Sequence, residues 1–330
     1  MRPRAAASFT ILCLLLAILF VVDLGVGSVS IPPARVWGAL TGAETDPTVR
    51  GIVIDIRLVK ALVALMAGMA LSVSGLQMQT LFRNPMAGPY VLGITSGASL
   101  GVALYLLGAP LLGTYAGIVG GLGMAGAAWI GSAAVLVIMA AVSSRVKDIM
   151  VILILGIMVS SGVSAIVQIL QYMSRDEALK SFVIWTMGSL GDVTSSRLMI
   201  LCPAVGAGLI LAIACVKPLN LLLFGEEYAL TMGLDTRRAR TLIFASTTLL
   251  AGTVTAFCGP IGFIGMAVPH IARMIVADAD HRVLLPATLL TGGALMLLCD
   301  VVAKLAVIPV NSVTALVGIP TVVWVVMRNR

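Results

Sequence analysis

The stretch Phe9–Val22 reads Phe-Thr-Ile-Leu-Cys-Leu-Leu-Leu-Ala-Ile-Leu-Phe-Val-Val and contains no charged residue. Arg2 and Arg4 precede it, so a cleaved signal peptide is one interpretation. However, no small-x-small cleavage site follows cleanly, and further apolar runs continue through the chain. We therefore interpret this stretch as a retained first membrane helix.

The composition extends this interpretation to the whole chain. Hydrophobic residues make up 60% of the 330 residues and charged residues 11%, whereas soluble domains average ~25% charged residues. One water-soluble core could not bury so much apolar surface. The sequence therefore predicts an all-α protein that crosses the membrane several times.

Ten segments approach the ~20 apolar residues that a transmembrane helix needs. They are 8–26, 58–82, 91–108, 114–141, 149–172, 196–216, 239–258, 262–275, 283–307 and 312–328. The eighth is short and contains Pro269, so we expect a broken helix close to a transport pathway. No polar gap is long enough for a soluble domain, which needs roughly 50 residues, so residues 1–330 form a single transmembrane domain.

Basic residues predominate in alternate gaps between these segments, whereas the other gaps carry no charge or, at 27–57 and 173–195, a mixture of charges. The positive-inside rule places the basic gaps and both termini in the cytosol. The gaps contain Arg83, Arg145, Lys147, Lys217, Arg237, Arg238, Arg240, Arg273 and Arg282. The net charge of +7 is thus explained by topology, and no basic stretch interleaved with aromatic residues indicates nucleic-acid binding.

A weak internal match suggests an inverted repeat. Two sets of residues share one spacing: Ala67, Gly68, Gly75 and Pro85, then Ala251, Gly252, Gly259 and Pro269. Five segments separate the sets, so the copies would have opposite orientations, as in inverted-repeat transporters. Chance is a serious alternative, because small residues are common in this chain.

Enzymatic motifs are missing from the sequence. No lysine follows a glycine, so there is no phosphate-binding P-loop, and no metal or cofactor motif stands out. Proton-coupled carriers usually place acidic residues deep in several helices, a pattern that we do not find. We therefore expect a transporter that is not itself an enzyme, binds no cofactor and is driven by a separate ATPase that uses ATP.

The loop of residues 217–240, below called the 217–240 loop, is the predicted contact with that ATPase. Glu227, Ala229 and Gly233 fit the E-x-A-x-x-x-G core of the coupling loop of ABC permeases, and Gly225 and Glu226 precede them. Two short amphipathic helices joined near Gly225 would fit this segment. A solvated amphipathic loop with no partner is the alternative.

Several separated stretches resemble the FecCD family, the permeases of type II ABC importers for iron-siderophores, haem and cobalamin. The stretches are Ser74–Gln79, Arg83–Pro89, Leu92–Ala98, Trp185–Leu190, Gly259–Arg273, Asp280–Pro286 and Pro309–Pro320. The resemblance implies a bacterial inner-membrane permease that pairs with a second copy of itself, two ATPase subunits and a periplasmic binding protein. An iron chelate, siderophore or haem, is the expected cargo; cobalamin is the alternative, and a proton-coupled carrier is the rival class.

The resemblance also implies site residues. Arg57, Lys60 and Lys304 correspond to outer basic residues that meet the binding protein, although interfacial snorkelling or a pair between Lys304 and Asp300 would also explain them. The chain departs from the family at Val307–Asn311, which puts the docking details in doubt. The candidate inner gate is the fifth segment with the loop before it, Arg145 to Ile154, and includes Ile149, Met150, Leu153 and Ile154. Met150, Met158, Met173 and Met187 could line a path for a bulky chelate.

Overall fold

The computed structural model describes residues 3–108, 123–146 and 148–328, and these ranges contain helices and no strand. The helices are α1 (Pro3–Gly25), α2 (Pro33–Thr41), α3 (Pro47–Gly51), α4 (Val59–Leu81), α5 (Ile94–Leu106), α6 (Gly123–Arg145), α7 (Ile149–Tyr172), α8 (Asp176–Thr186), α9 (Ser195–Ala214), α10 (Val216–Leu222), α11 (Glu226–Thr231), α12 (Thr236–Thr247), α13 (Thr253–Cys258), α14 (Ile264–Val276), α15 (His281–Ala306) and α16 (Val310–Arg328). Lys147 and Arg330 lie outside the described residues.

The predicted all-α, multi-pass architecture is confirmed. Each of the ten predicted segments coincides with a helix, and the fifth has the predicted bounds. The fourth begins at Gly123 in the described part of the chain, and residues 114–122 lie outside it. Among the described residues, six helices are long and apolar enough to cross a membrane: Ala6–Gly25, Gly123–Ser143, Ile149–Tyr172, Ser195–Ala214, Thr236–Cys258 and His281–Ala306. In the fifth of these, a π-helical turn, Thr248–Gly252, joins α12 to α13.

Helix α4 is the centre of the molecule. A π-helical turn, Ile52–Leu58, joins it to α3, and most of its side chains are buried against α14 and α15. A Cβ atom on Gly68 would overlap the backbone of Gly292, and one on Gly75 would overlap that of Gly265. Small residues let helix backbones approach this closely within lipid, so the glycines of α4 set the spacing of the core.

The eighth segment is short, as predicted. Helix α14 has 13 residues, follows Phe263 at φ 66° and contains Pro269. At 1.5 Å per residue it spans ~20 Å, less than the ~30 Å hydrocarbon core. It therefore cannot cross the membrane alone as a regular helix.

Three helices were missed in the polar gaps. Asp46 caps α3 by accepting from the backbone N–H of Thr48 at 2.9 Å, and both α2 and α3 begin with proline. Helix α8 occupies the gap 173–195. These helices have 5 to 11 residues, so a search for runs of about 20 apolar residues does not detect them.

The internal match does not mark equivalent backbone positions. Gly75 lies inside α4, whereas Gly259 ends α13 at φ 73°. Pro85 lies in the loop after α4, whereas Pro269 lies inside α14. The inverted repeat therefore gains no support from these residues.

Candidate functional site

The 217–240 loop contains the two short helices that were expected around Gly225. Helices α10 and α11 are separated by Gly225 at φ 105°, a conformation that glycine adopts without steric penalty. Glu226 and Glu227 occupy the first turn of α11, where carboxylates are favoured by the helix dipole. The loop is therefore an ordered helical projection.

The tip of this loop is apolar and exposed. The exposed side chains are Leu223, Phe224, Tyr228, Leu230 and Met232. Phe224 is 69% exposed, and its ring lies 5.4 Å from that of Tyr228. Below, these five residues are called the apolar tip. Several large apolar side chains together on one projection are typical of a protein contact.

The residues of the E-x-A-x-x-x-G match differ in their surroundings. Ala229 lies on the buried side of α11 and is fully buried, whereas Glu227 on the same helix is exposed. Gly233 has φ 84°, and a Cβ atom there would meet no atom within 4 Å. Within this chain, Gly233 is thus required for its backbone conformation and not for close packing.

Asn220 fixes the base of the 217–240 loop by hydrogen bonds to Asp280 and His281. Asn220 donates to Asp280 at 2.6 Å and accepts from the backbone N–H of His281 at 2.9 Å. The backbone N–H of Arg282 and the Asn220 amide lower the pKa of Asp280. The His281 ring also lies 2.9 Å from the Thr80 hydroxyl. The loop is therefore tied to α4 and to the start of α15.

The residues around Pro85 and Pro269 meet at this same end. Gln79 accepts from Arg273 at 2.8 Å and donates to the carbonyl of Met266 at 3.0 Å. His270 donates from Nε2 to the Pro85 carbonyl at 2.8 Å. Both histidines thus make intramolecular contacts.

The candidate gate residues do not share one face. Met150 and Ile154 are exposed one turn apart on α7, Ile149 is half-buried, and Leu153 is buried in the core. Asp148 caps α7 by accepting from the backbone N–H of Met150 at 2.8 Å. Of the four, only Met150 and Ile154 therefore have the exposure that a gate would require.

Farther along α7 lies an uncharged polar groove. Its first part, about 570 Å³, is lined by Tyr90, Val91, Ile157, Ser160, Ser161, Ser164 and Gln168. A second part of about 350 Å³ shares Ser164 and Gln168 and adds Thr95, Ser96, Ser99, Val167, Gln171, Phe182 and Thr186. Exposed amides are unfavourable in hydrocarbon, so this face of α7 is suited to water or a polar ligand. No cluster of three or more metal-binding side chains occurs among the described residues.

At the opposite end of the molecule, Arg57 is buried. Its side chain is 4% exposed and donates to the carbonyl oxygens of Leu24 and Gly25 at 3.0 Å, and to that of Val29. Leu24 and Gly25 end α1, where helical carbonyls lack intrahelical partners. Docking through Arg57 would require a solvated cation at this position, whereas its side chain is buried within this chain.

Lys60 and Lys304 are paired as well. Lys304 lies 2.8 Å from Asp300 and 2.9 Å from Asp23, and Lys60 lies 3.1 Å from Asp300. The pair between Lys304 and Asp300 was the alternative noted from their spacing. Asp23 was not foreseen as a member, so two buried carboxylates meet where the sequence indicated one. The four residues join α1, α4 and α15.

We expect Arg57→Met to destabilise the protein, because three carbonyl groups lose a charged donor and hydrogen bonds to charged groups are worth about 1.5–3 kcal/mol. The melting temperature of the purified protein in detergent should fall by several degrees. Arg50→Met, at an exposed arginine on α3, is the control and should change little. A melting temperature unchanged by Arg57→Met, with weaker binding-protein association, would instead support docking.

Comparison with known proteins agrees with this architecture. The FecCD transport family model matches residues 15–328. The hemin transport system permease HmuU of Yersinia pestis is 36% identical, over 100% of this chain and 97% of its own. The molybdate import permease MolB of Haemophilus influenzae is 35% identical over 94% and 92%, and the vitamin B12 import permease BtuC of Klebsiella pneumoniae is 34% identical over 97% and 93%.

The fold is shared with a solved structure. A protein described as a metal-chelate type ABC transporter, in an inward-facing conformation, is 30% identical with a TM-score of 0.84, covering 98% of this chain and 99% of its own. The multi-pass helical architecture and the similarity over the full length of the chain point to the same family. The chain belongs to the FecCD transport family, the permease subunits of ABC importers.

Proposed function

We propose that this permease imports an iron chelate, haem or a siderophore, delivered by a periplasmic binding protein. The observation that carries the proposal is the full-length similarity to a hemin permease, at 36% identity. Cobalamin is the second candidate, because a vitamin B12 permease is 34% identical over nearly the whole chain. Two copies of the chain would enclose the path, and two ATPase subunits would drive it.

The groove along α7 favours a large chelate over a small oxyanion such as molybdate. Its two parts share Ser164 and Gln168, and none of the lining residues is charged. A small dianion needs cations or converging backbone N–H groups to replace its water. A bulky chelate needs only weak, distributed contacts, which hydroxyl, amide and methionine groups provide. Met150 and Met158 are exposed on the same helix.

Reconstituted transport tests the cargo. Proteoliposomes containing this permease and its ATPase, with the binding protein outside, are expected to accumulate haem or an iron-siderophore only when ATP is inside. Cobalamin and molybdate are the matched comparisons in the same vesicles. ATP-dependent uptake of cobalamin alone would replace the first cargo by the second. Uptake driven by a proton gradient without ATPase would contradict the permease mechanism.

The same end of the molecule carries the 217–240 loop, the start of α1 and the end of α16, which supports the proposed orientation. Ser8 donates to the carbonyl of Ile275, close to Arg273, whereas Asp23 lies beside Lys304 at the other end. Helix α16 starts after the Lys304 end of α15 and runs back. If the loop contacts an ATPase, both termini are cytosolic.

The Lys304 end would then face the periplasm and the binding protein. Of the three predicted docking cations, Lys60 has the most exposed side chain, at 25%. Arg57 and Lys304 are largely buried. We therefore retain docking as a role for Lys60 and assign the other two mainly to packing of this end.

A further inference from the structure

A buried arginine joins the 217–240 loop to the corner before α7. The Arg240 side chain, on α12, is 3% exposed. Its Nη1 donates to the carbonyl of Val146 at 3.1 Å, and its Nη2 pairs with the carboxylate of Glu226. One guanidinium thus contacts two segments that are 80 residues apart in the sequence.

One contact of Arg240 lies beside the apolar tip, and the other lies just before the candidate gate residues on α7. Glu226 is the first residue of α11, and this helix carries Tyr228 and Leu230 of the apolar tip. Any movement imposed on that tip therefore acts on the Glu226 carboxylate. Val146 follows the end of α6, two residues before Asp148, which caps α7. The first turns of α7 carry Met150 and Ile154, the exposed side chains of the candidate gate.

The guanidinium is suited to transmit displacement. Its donors form a rigid planar fork, so the orientations of two partners are fixed together. A buried charge that loses a partner is strongly unfavourable, so Glu226 and the Val146 carbonyl are held to a common position. Arg238, by contrast, is 90% exposed and pairs with Asp235 on its own helix, so it makes no such link.

We infer that Arg240 is a positioning residue that transmits movement of α11, caused by the ATPase, to the start of α7. The inference rests on the proposed ATPase contact of the 217–240 loop and goes beyond it by naming the path to the gate. Movement of the loop would shift the corner between α6 and α7 and change the exposure of Met150.

The test uses Arg240→Lys, which keeps a positive charge for Glu226 but cannot hold both partners with one planar fork. In the Cys13→Ser background, Met150→Cys reports the gate through its labelling rate with an impermeant maleimide, with and without ATP. We expect the complete transporter to show an ATP-dependent change in labelling. Arg240→Lys should reduce that change and the uptake per ATP hydrolysed by about fivefold or more. Arg282→Lys, at an exposed arginine outside the 217–240 loop, is the matched control and should leave both unchanged.

Distinct outcomes separate this inference from the proposed function. A stable, assembled Arg240→Lys transporter with the parental ATP-dependent labelling would overturn the inference and leave the ATPase contact intact. If Arg240→Lys fails to assemble, Glu226→Ala is measured at saturating ATPase, and retained ATP-dependent labelling overturns the inference. Absence of any ATP-dependent labelling with native Arg240 would overturn the inference and count against the proposed function.

Discussion

Phe224→Asp is expected to abolish ATP-driven uptake while the permease still folds. The Phe224 ring is 69% exposed on the apolar tip and contacts Tyr228, so it contributes little to the core of this chain. Aromatic residues buried at the centre of an interface often contribute at least ~2 kcal/mol to binding. A carboxylate at this position should therefore weaken ATPase binding by more than about tenfold. Co-purification and titration of the ATPase measure this change.

Phe224→Leu is the matched control, because it keeps an apolar side chain at the same position. It should retain most of the affinity and uptake. The melting temperature of both variants should be close to that of the parent. Undiminished ATPase binding by Phe224→Asp would show that the 217–240 loop is a solvated projection, and the partner surface would have to be sought elsewhere.

The fold was predictable because lipid imposes a simple rule on sequence. Backbone polar groups must be satisfied within each membrane segment, so each crossing is visible as a long apolar run. The fifth segment shows this, since its predicted and observed bounds agree at Ile149 and Tyr172. Helices α2 and α8 lie in polar gaps, where no such rule operates, and their short amphipathic patterns are ambiguous.

The site was predictable only where its chemistry is local. The short helices around Gly225 follow from glycine and the acidic residues after it. The contact of Arg240 with Val146 spans 94 residues, and that of Lys304 with Asp23 spans 281. Local spacing cannot indicate such pairs, because they depend on how the helices pack. A polar residue inside an apolar run without a local partner, such as Asn220 or Asp23, was the signal available.

Packing also changes the interpretation of the three predicted docking residues. Arg57, Lys60 and Lys304 are positively charged at the expected end of the molecule, yet each has an intramolecular partner. The family resemblance suggested a surface for another protein, whereas burial indicates that two of them mainly join helices. Thus α1, α4 and α15 are held by a charged cluster at one end and by close glycine contacts in the core.

Lys304→Met is expected to destabilise the permease severely. The Lys304 side chain is 8% exposed and contacts the carboxylates of Asp23 and Asp300, which are almost fully buried. Its loss leaves Lys60 as the one lysine of the cluster for two carboxylates. Breaking a buried ion pair costs about 3–5 kcal/mol, enough to lower the folded yield and the melting temperature in detergent.

Second-site substitution tests the charge balance directly. Lys304→Met combined with Asp23→Asn leaves one lysine, Lys60, and one carboxylate, Asp300, which already lie 3.1 Å apart. This double variant should recover much of the lost stability, and Lys304→Arg should keep most of it because the positive charge remains. If Lys304→Met melts like the parent but binds the periplasmic protein more weakly, docking and not helix association is the role of Lys304. If the double variant is no more stable than Lys304→Met alone, the uncompensated carboxylate contributes nothing to the destabilisation. The stability lost in Lys304→Met would then arise from the missing packing of the lysine stem.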